Sequence, residues 1–232
     1  MNKGTIIALD FDSRDKTLEF LDKFDEQLFV KIGMELFYRE GPEIIREIKS
    51  RKHKIFLDLK LHDIPNTVKK ATLSLLNLDV DIINYHVAGG REMLSVAQSS
   101  ASEKEGLLTL GVTMLTSTSE ESMHEDILID EDYSLKETVI SYAKLAKECG
   151  LSGVVCSALE VPSIKKSVGE DFLCVTPGIR PLTYAKDDQK RVVTPEKARE
   201  LGSDFIVVGR PITHSEDPLK AYNEINREFL GE

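Results

Sequence analysis

The sequence predicts a single-domain α/β protein, a (β/α)8 TIM barrel that takes in all of residues 1–232. Short apolar segments alternate with amphipathic helical segments from end to end, which is the pattern of a parallel sheet with helical crossovers. Eight such units fit into the 232 residues, and eight strands close a barrel. An open sheet of the dinucleotide-binding type has a glycine-rich turn after its first strand, whereas this turn reads Asp10-Phe11-Asp12-Ser13.

Each predicted strand is a short apolar run. In chain order the strands lie near Thr5–Leu9, Leu28–Ile32, Lys54–Leu59, Asp81–Tyr85, Leu107–Thr113, Gly153–Cys156, Phe172–Thr176 and Phe205–Val208. The first run is too short for the apolar region of a signal peptide, and no run approaches the ~18 apolar residues of a membrane span.

Helices are predicted between these strands, where apolar residues recur at three- and four-residue spacing. They cover Arg14–Phe24, Pro42–Arg51, Thr67–Leu76, Glu92–Ala101, Leu135–Cys149, Ala158–Val168, Pro195–Leu201 and Pro218–Phe229. No linker, low-complexity tract or other break divides this series, so one domain is expected.

Two polar segments interrupt the alternation. Ser117–Ser134, after the fifth strand, is acidic and rich in hydroxyl groups, and it is interpreted as a solvated insertion. Pro181–Arg191, after the seventh strand, is a polar loop. A loop of this length on the catalytic face of a barrel could act as a lid.

The composition limits the class of partner. Apolar residues make up 41% of the chain, the net charge is −10 and the pI is about 5.1. This balance argues against nucleic acid or an anionic membrane as the main partner, although a local group of cations could still bind a small anion. The three cysteines, Cys149, Cys156 and Cys174, form no CxxC pair, which favours a reducing, cytosolic compartment.

Charged residues stand at the carboxyl ends of the first three strands, where barrel enzymes carry their active sites. Asp10 follows strand one, Lys31 lies in strand two, and Asp58 and Lys60 lie in strand three. Side chains alternate along a strand, so Asp58 and Lys60 point the same way, roughly 6–7 Å apart. Charges in a barrel interior are costly unless they are paired, so the sequence predicts an alternating network that is a candidate for chemistry.

Structural interpretations of these residues remain open at this point. Asp58 and Lys60 could form an ion pair with a purely structural role. Asp63 precedes Ile64-Pro65 at a predicted helix start, where an aspartate is often an N-cap. His62 and His86 are single histidines of a kind that more often have structural roles than catalytic ones.

A separate signal comes from the last two strands. Strand seven runs into Gly178-Ile179-Arg180, and strand eight runs into Gly209-Arg210. Barrels often bind phosphate with these two loops. Glycine lets backbone N–H groups approach an anion, and arginine binds it through paired donors.

The run from Asp58 to Thr67 reads DLKLHDIPNT and resembles the signature of the orotidine 5′-phosphate decarboxylase family, in its short bacterial form. The resemblance extends in order over nearly the whole chain, and it adds four segments to Asp10 and Lys31. These segments are Met114–Ser117, Thr176–Pro181, Asp187–Arg191 and Val207–Thr213. The resemblance implies decarboxylation of orotidine 5′-monophosphate to uridine 5′-monophosphate in pyrimidine biosynthesis, with no metal ion and no organic cofactor.

The resemblance also implies roles for residues at the reacting bond. Lys60 is expected to protonate C6 of the pyrimidine as carbon dioxide leaves, and Asp58 to lie against the departing carboxylate. Asp63 and Thr67 are expected to reach the active site of a second subunit, which makes the enzyme a homodimer.

Further positions are implied for substrate binding. Asp10 and Lys31 are expected to bind the ribose hydroxyls, and Thr116 the edge of the pyrimidine. The residues expected at the phosphate are Arg180, Gln189, Gly209 and Arg210.

Two alternatives remain from the sequence. The same barrel also resembles a sister group of magnesium-dependent enzymes that act on sugar phosphates. Strand two has Lys31 where that group would place a metal-binding carboxylate, although Glu35 lies shortly beyond. The other alternative is a nucleotide-binding barrel without catalytic activity.

Overall fold

A computed structural model describes residues 3–182 and 192–232 and contains the eight strands that the sequence predicts. Every predicted strand boundary lies within two residues of the observed one. The strands are β1 (Gly4–Ala8), β2 (Phe29–Gly33), β3 (Lys54–Leu61), β4 (Ile82–His86), β5 (Leu108–Val112), β6 (Gly153–Val155), β7 (Leu173–Thr176) and β8 (Phe205–Val208). Each pairs in parallel with the next, and β8 pairs with β1 to close the barrel, so the predicted fold class is confirmed.

Helices connect the strands around the outside of the barrel, and all eight predicted helical segments are present. The α-helices are α1 (Arg14–Leu21), α2 (Met34–Glu40), α3 (Pro42–Ser50), α4 (Pro65–Leu76), α5 (Gly90–Ala101), α6 (Glu120–Glu125), α7 (Leu135–Glu148), α8 (Val161–Val168), α9 (Pro195–Glu200), α10 (Arg210–Thr213) and α11 (Pro218–Leu230). The sequence did not predict α2, α6 and α10, whose four to seven residues give only a weak helical period, although it did predict the equally short α9.

The barrel interior is filled by a small apolar cluster, separate from the larger core between strands and helices. Its buried members are Ile6, Ala8, Phe56, Ile82, Leu110, Val175, Phe205 and Val207. Burying a side chain as large as Phe56 stabilises a fold by about 1.5–3 kcal/mol. Because strand side chains alternate between faces, Asp58 follows Phe56 into the interior, above this cluster.

The acidic segment Ser117–Ser134 is folded onto the barrel, so the prediction of a solvated insertion is wrong in part. Met123 is completely buried in the outer core, and the partly buried Ile129 packs against the same core. The carboxylate of Glu120 accepts a hydrogen bond from the backbone nitrogen of Leu135 at 2.7 Å. Two apolar side chains therefore anchor a segment whose composition is otherwise polar.

The predicted lid, Pro181–Arg191, falls almost entirely on residues 183–191, which lie outside the described residues. Its proposed movement therefore stays a prediction. Within residues 3–182 and 192–232, no helix has the length and apolar character needed to cross a membrane.

Candidate functional site

A cavity of about 430 Å³ opens at the carboxyl ends of the strands. Its floor includes Ala8, Phe56 and Val207 from the interior cluster. The sequence-predicted residues that line it are Asp10, Lys31, Asp58, Lys60, Thr116, Arg180, Gly209 and Arg210. Four of these eight are cations and two are carboxylates, so the cavity suits an anionic ligand although the whole chain is acidic.

Asp58 and Lys60 form an ion pair inside this cavity. Asp58 Oδ1 lies 2.7 Å from Lys60 Nζ, and the two side chains are 11% and 25% exposed. Strand alternation predicts that they share a face, but Lys60 has a φ of +52°, and the pairing of β3 with β4 shifts between Leu57 and Leu61. A left-handed backbone at a residue other than glycine costs about 1–3 kcal/mol and is typical of functional sites.

Lys31 joins this pair to Asp10. Its Nζ lies 3.2 Å from Asp10 Oδ1 and 3.4 Å from Asp58 Oδ2. Burial lowers the pKa of Lys31, but the charges of Asp10 and Asp58 outweigh burial and leave this pKa above its ordinary value. Lys31 therefore stays cationic, and the structure brings the four charges into one alternating network.

Asp58 is the centre of the network. Burial raises the pKa of this carboxyl, but the neighbouring Lys31 and Lys60 ammonium groups and the hydrogen bonds to Lys60 and Asn84 lower it more, so the net shift is downward. Asp58 is therefore ionised at neutral pH, although it is almost completely buried.

Asn84 is a member of the site that sequence reasoning missed. It is fully buried on β4, where its Nδ2 donates to Asp58 Oδ1 at 2.7 Å and its Oδ1 accepts from the backbone nitrogen of Lys60 at 2.8 Å. A signal existed in the sequence, because Asn84 stands two residues after Ile82. It therefore shares the face of β4 that turns into the barrel.

The two histidines of the motif region lie beside each other at the edge of the network. The ring centroids of His62 and His86 are 5.5 Å apart. Burial, helped by His62 and by the charge of Lys60, lowers the pKa of His86. His86 is therefore mostly neutral at pH 7.

The glycine–arginine turns after β7 and β8 both reach the cavity. Gly178 has a φ of +79°, a conformation that glycine adopts without strain. Arg180 is buried, with its Nη1 donating to the carbonyl of Ile179 at 2.9 Å. Arg210 opens α10 directly after Gly209. The arrangement places two guanidinium groups at the end of the cavity formed by the last two strands.

Asp63 and Thr67 are not brought into the cavity of their own chain; both are exposed. Asp63 Oδ1 accepts a hydrogen bond from its neighbour Ile64 at 2.7 Å. The N-cap of α4 is Ile64, without a side-chain capping bond, so the interpretation of Asp63 as an N-cap is wrong.

Gln189 lies outside the described residues, so its role at the phosphate stays a prediction. Within residues 3–182 and 192–232, no three or more His, Cys, Asp or Glu side chains are grouped so that they could hold a metal ion.

Comparison with known proteins gives a consistent result over nearly the full length. Residues 4–225 match the model of the orotidine 5′-phosphate decarboxylase / HUMPS family. The chain is 54% identical over 232 residues to orotidine 5′-phosphate decarboxylase of Staphylococcus saprophyticus, with 100% of both chains covered. It is 53% identical over 237 residues to the enzyme of that name from Bacillus cytotoxicus, covering 100% of this chain and 99% of the relative.

Solved structures agree with the fold. A crystal structure of orotidine 5′-phosphate decarboxylase from Lactobacillus acidophilus superimposes with a TM-score of 0.87 at 40% identity, covering 98% of this chain and 99% of that one. An uncharacterized conserved protein from Geobacillus kaustophilus superimposes with a TM-score of 0.86 at 46% identity, covering 97% of this chain and 99% of that one.

Proposed function

The chain belongs to the orotidine 5′-phosphate decarboxylase / HUMPS family, and from this premise we propose that it decarboxylates orotidine 5′-monophosphate to uridine 5′-monophosphate in pyrimidine biosynthesis. The family model spans more than one activity, but full-length relatives at 53–54% identity carry the name of the decarboxylase. The observation that carries the proposal is the contact of 2.7 Å between Lys60 Nζ and Asp58 inside a cavity rich in cations.

Lys60 is the proposed proton donor. When the bond from C6 to the carboxylate breaks, carbon dioxide leaves and an electron pair remains on C6, where the ring delocalises it poorly. An ammonium group held next to C6 stabilises this charge by electrostatic preorganisation. The electron pair then takes a proton from Lys60 Nζ, and solvent returns the proton to the amine.

Asp58 acts on the substrate carboxylate in this proposal. It is ionised and buried, so it repels a second carboxylate placed against it, and the repulsion ends when neutral carbon dioxide forms. Its other role is to orient Lys60 through their ion pair. Both roles depend on the low exposure of the pair, because water would screen the charges.

Groups remote from C6 bind the rest of the substrate. Asp10 and Lys31 bind the ribose hydroxyls, and Thr116 binds the edge of the pyrimidine. The phosphate is bound by Arg180, Gln189, Gly209 and Arg210. Binding energy from the phosphate, which does not react, can hold the reacting end in its active geometry.

We further propose that the reaction needs no metal ion. In the magnesium-dependent alternative, the carboxylates on neighbouring strands bind the cation. Here the Lys31 ammonium lies between Asp10 and Asp58, at 3.2 and 3.4 Å from their oxygens, and already supplies the positive charge that this carboxylate pair requires. A chelator should therefore leave turnover unchanged, whereas the metal-dependent alternative requires that it be lost.

The active form is proposed to be a homodimer in the cytosol. Asp63 and Thr67 are exposed. Neither Asp63 nor Thr67 lines the cavity of its own chain, and in the proposed dimer they would complete the partner's site.

The direct test is the loss of pyrimidine absorbance when orotidine 5′-monophosphate is added. The wild-type chain should turn the substrate over, and Lys60→Ala should reduce kcat by several orders of magnitude while leaving the fold intact. Tight nucleotide binding without turnover in the wild type would support the alternative of a non-catalytic barrel and refute the proposed activity.

A further inference from the structure

The side chain of Asn84, on β4, lies against the irregular part of β3. It is 1% exposed, and it bonds to two points of the neighbouring strand at once. Its Oδ1 accepts from the backbone nitrogen of Lys60 at 2.8 Å, and its Nδ2 donates to Asp58 Oδ1 at 2.7 Å. One amide thus spans the stretch of chain that carries the ion pair.

The chemistry of the two bonds specifies the type of side chain. A backbone N–H can only donate, and an ionised carboxylate can only accept. The group between them must therefore offer an acceptor and a donor in one unit, as a carboxamide does. This requirement also determines which end of the Asn84 amide faces Lys60.

The bond to the backbone coincides with the irregularity in β3. Lys60 has a left-handed φ of +52°, and the β3–β4 register shifts between Leu57 and Leu61. At such a shift a backbone N–H is left without a partner from the regular strand ladder. Asn84 Oδ1 supplies that partner and so stabilises a backbone conformation that is otherwise costly.

The ion pair between Asp58 and Lys60 links the two groups that Asn84 binds. Asp58 Oδ1 receives both Asn84 Nδ2 and Lys60 Nζ, each at 2.7 Å. The contacts form a closed ring from the Lys60 backbone through Asn84 and Asp58 to the Lys60 ammonium. We propose that Asn84 is a positioning residue, whose amide sets the place of the Lys60 ammonium by holding both the Lys60 backbone and the Asp58 carboxylate.

This inference rests on the proposed function as far as turnover is concerned. Asn84 is not among the described residues that line the cavity, so it acts through Asp58 and Lys60 and not on the substrate. A displacement of a reacting group by about 1 Å can reduce a rate on the order of 10²-fold. Binding of the nucleotide depends on other groups and should be affected much less.

The test compares two variants of Asn84 with a control of the same kind elsewhere. Asn84→Ala removes both bonds. Asn84→Asp has nearly the same shape and keeps the acceptor for Lys60, but it replaces the donor with a second carboxyl facing Asp58. Thr109→Val is the control, because Thr109 is also completely buried in a strand and donates to Gln98 at 2.6 Å, away from the cavity.

Both Asn84 variants should reduce kcat on the order of 10²-fold. The Kd for uridine 5′-monophosphate should change by less than about threefold, because a group that acts only on the reacting geometry affects kcat and not nucleotide binding. In Asn84→Asp, the acidic limb of the kcat–pH profile should move to higher pH, because two facing carboxyls hold a proton more tightly. Thr109→Val should lower Tm but keep kcat.

Amide hydrogen exchange of Lys60 provides a readout that does not require turnover. Exchange should become faster in Asn84→Ala, which lacks the acceptor, and stay slow in Asn84→Asp, which keeps it. Unchanged exchange in Asn84→Ala, or a kcat loss no larger than that of Thr109→Val, overturns the inference. A wild type that binds the nucleotide without turnover refutes the proposed function instead, and the exchange experiment still decides whether Asn84 holds the Lys60 backbone.

Discussion

Replacing Asp58 with asparagine should both destabilise the protein and abolish most of its activity. Asp58 lies between two ammonium groups, 2.7 Å from Lys60 Nζ and 3.4 Å from Lys31 Nζ, and its side chain is 11% exposed. Asparagine keeps the shape but removes the negative charge, so two cations remain close together with little water to solvate them. Removing one partner of a buried ion pair lowers the free energy of unfolding by about 3–5 kcal/mol.

The expected size of the stability change follows from this geometry. Lys60 is 25% exposed and regains part of its hydration, so the lower end of the range, about 3 kcal/mol, is expected for Asp58→Asn. For a chain of this length, 1 kcal/mol corresponds to about 2–4 °C in Tm. Calorimetry at pH 7 should therefore show a Tm roughly 6–12 °C below that of the wild type.

The pH dependence gives a second measurement with a definite sign. Burial raises the pKa of Asp58, but Lys31 and Lys60 lower it more, so the folded pKa lies below the unfolded one. Its stabilising contribution is present above the unfolded pKa of about 3.9 and is lost as pH falls through the folded value. The difference in Tm between the wild type and Asp58→Asn should therefore be largest near neutral pH and shrink in acid.

A matched control is available at the other end of the barrel. Asp204 forms an ion pair with the buried Lys165 at 2.8 Å and accepts a hydrogen bond from the backbone nitrogen of Cys174. Asp204→Asn should lower Tm but leave kcat within about threefold of the wild type, because it touches no substrate. A fall in Tm of less than about 2 °C in Asp58→Asn, or a fall in kcat of less than about tenfold, would mean that Asp58 does not hold the charge network together.

Three other predictions test the phosphate site, a buried histidine and the dimer. Arg210→Ala should lower kcat/KM on orotidine 5′-monophosphate by more than about 10²-fold with little change in Tm; an unchanged kcat/KM would remove Arg210 from the phosphate site. Burial lowers the pKa of His53, whose Nδ1 accepts from the Leu28 backbone at 3.1 Å. Stability should therefore fall as pH drops below about 6.5, and urea titrations should show a smaller fall for His53→Gln. Co-refolding inactive Lys60→Ala and Asp63→Asn subunits should restore roughly a quarter of wild-type activity, since each mixed dimer has one intact site; no recovery would contradict a shared site.

The fold could be predicted because its signals are local. The lengths of the apolar runs and the three- and four-residue spacing of the helices belong to single segments, and they placed all eight strands within two residues. The short helices α2 and α10 were missed, since a segment of one or two turns has only a weak periodic signal. The burial of Met123 was missed because the composition of Ser117–Ser134 is dominated by its acidic residues.

The candidate site was predictable to the extent that strand geometry and family resemblance determine it. Alternation alone places Asp58 and Lys60 on one face, and the glycine–arginine pairs after β7 and β8 both line the cavity. The resemblance supplied roles that no pattern contains, such as those of Thr116 and Gln189. Asn84 was missed because its contacts join positions 24 and 26 residues apart in the chain.

By itself, the sequence determined the order of strands and helices and predicted a common face for Asp58 and Lys60, because these depend on the period of one segment. Only the tertiary structure decided which charges touch. The register that pairs Gly33 with Asp58 brings Lys31 to Asp58, and the left-handed turn at Lys60 brings its backbone to Asn84. Register and backbone strain depend on packing between distant segments, and that information is absent from any single stretch of sequence.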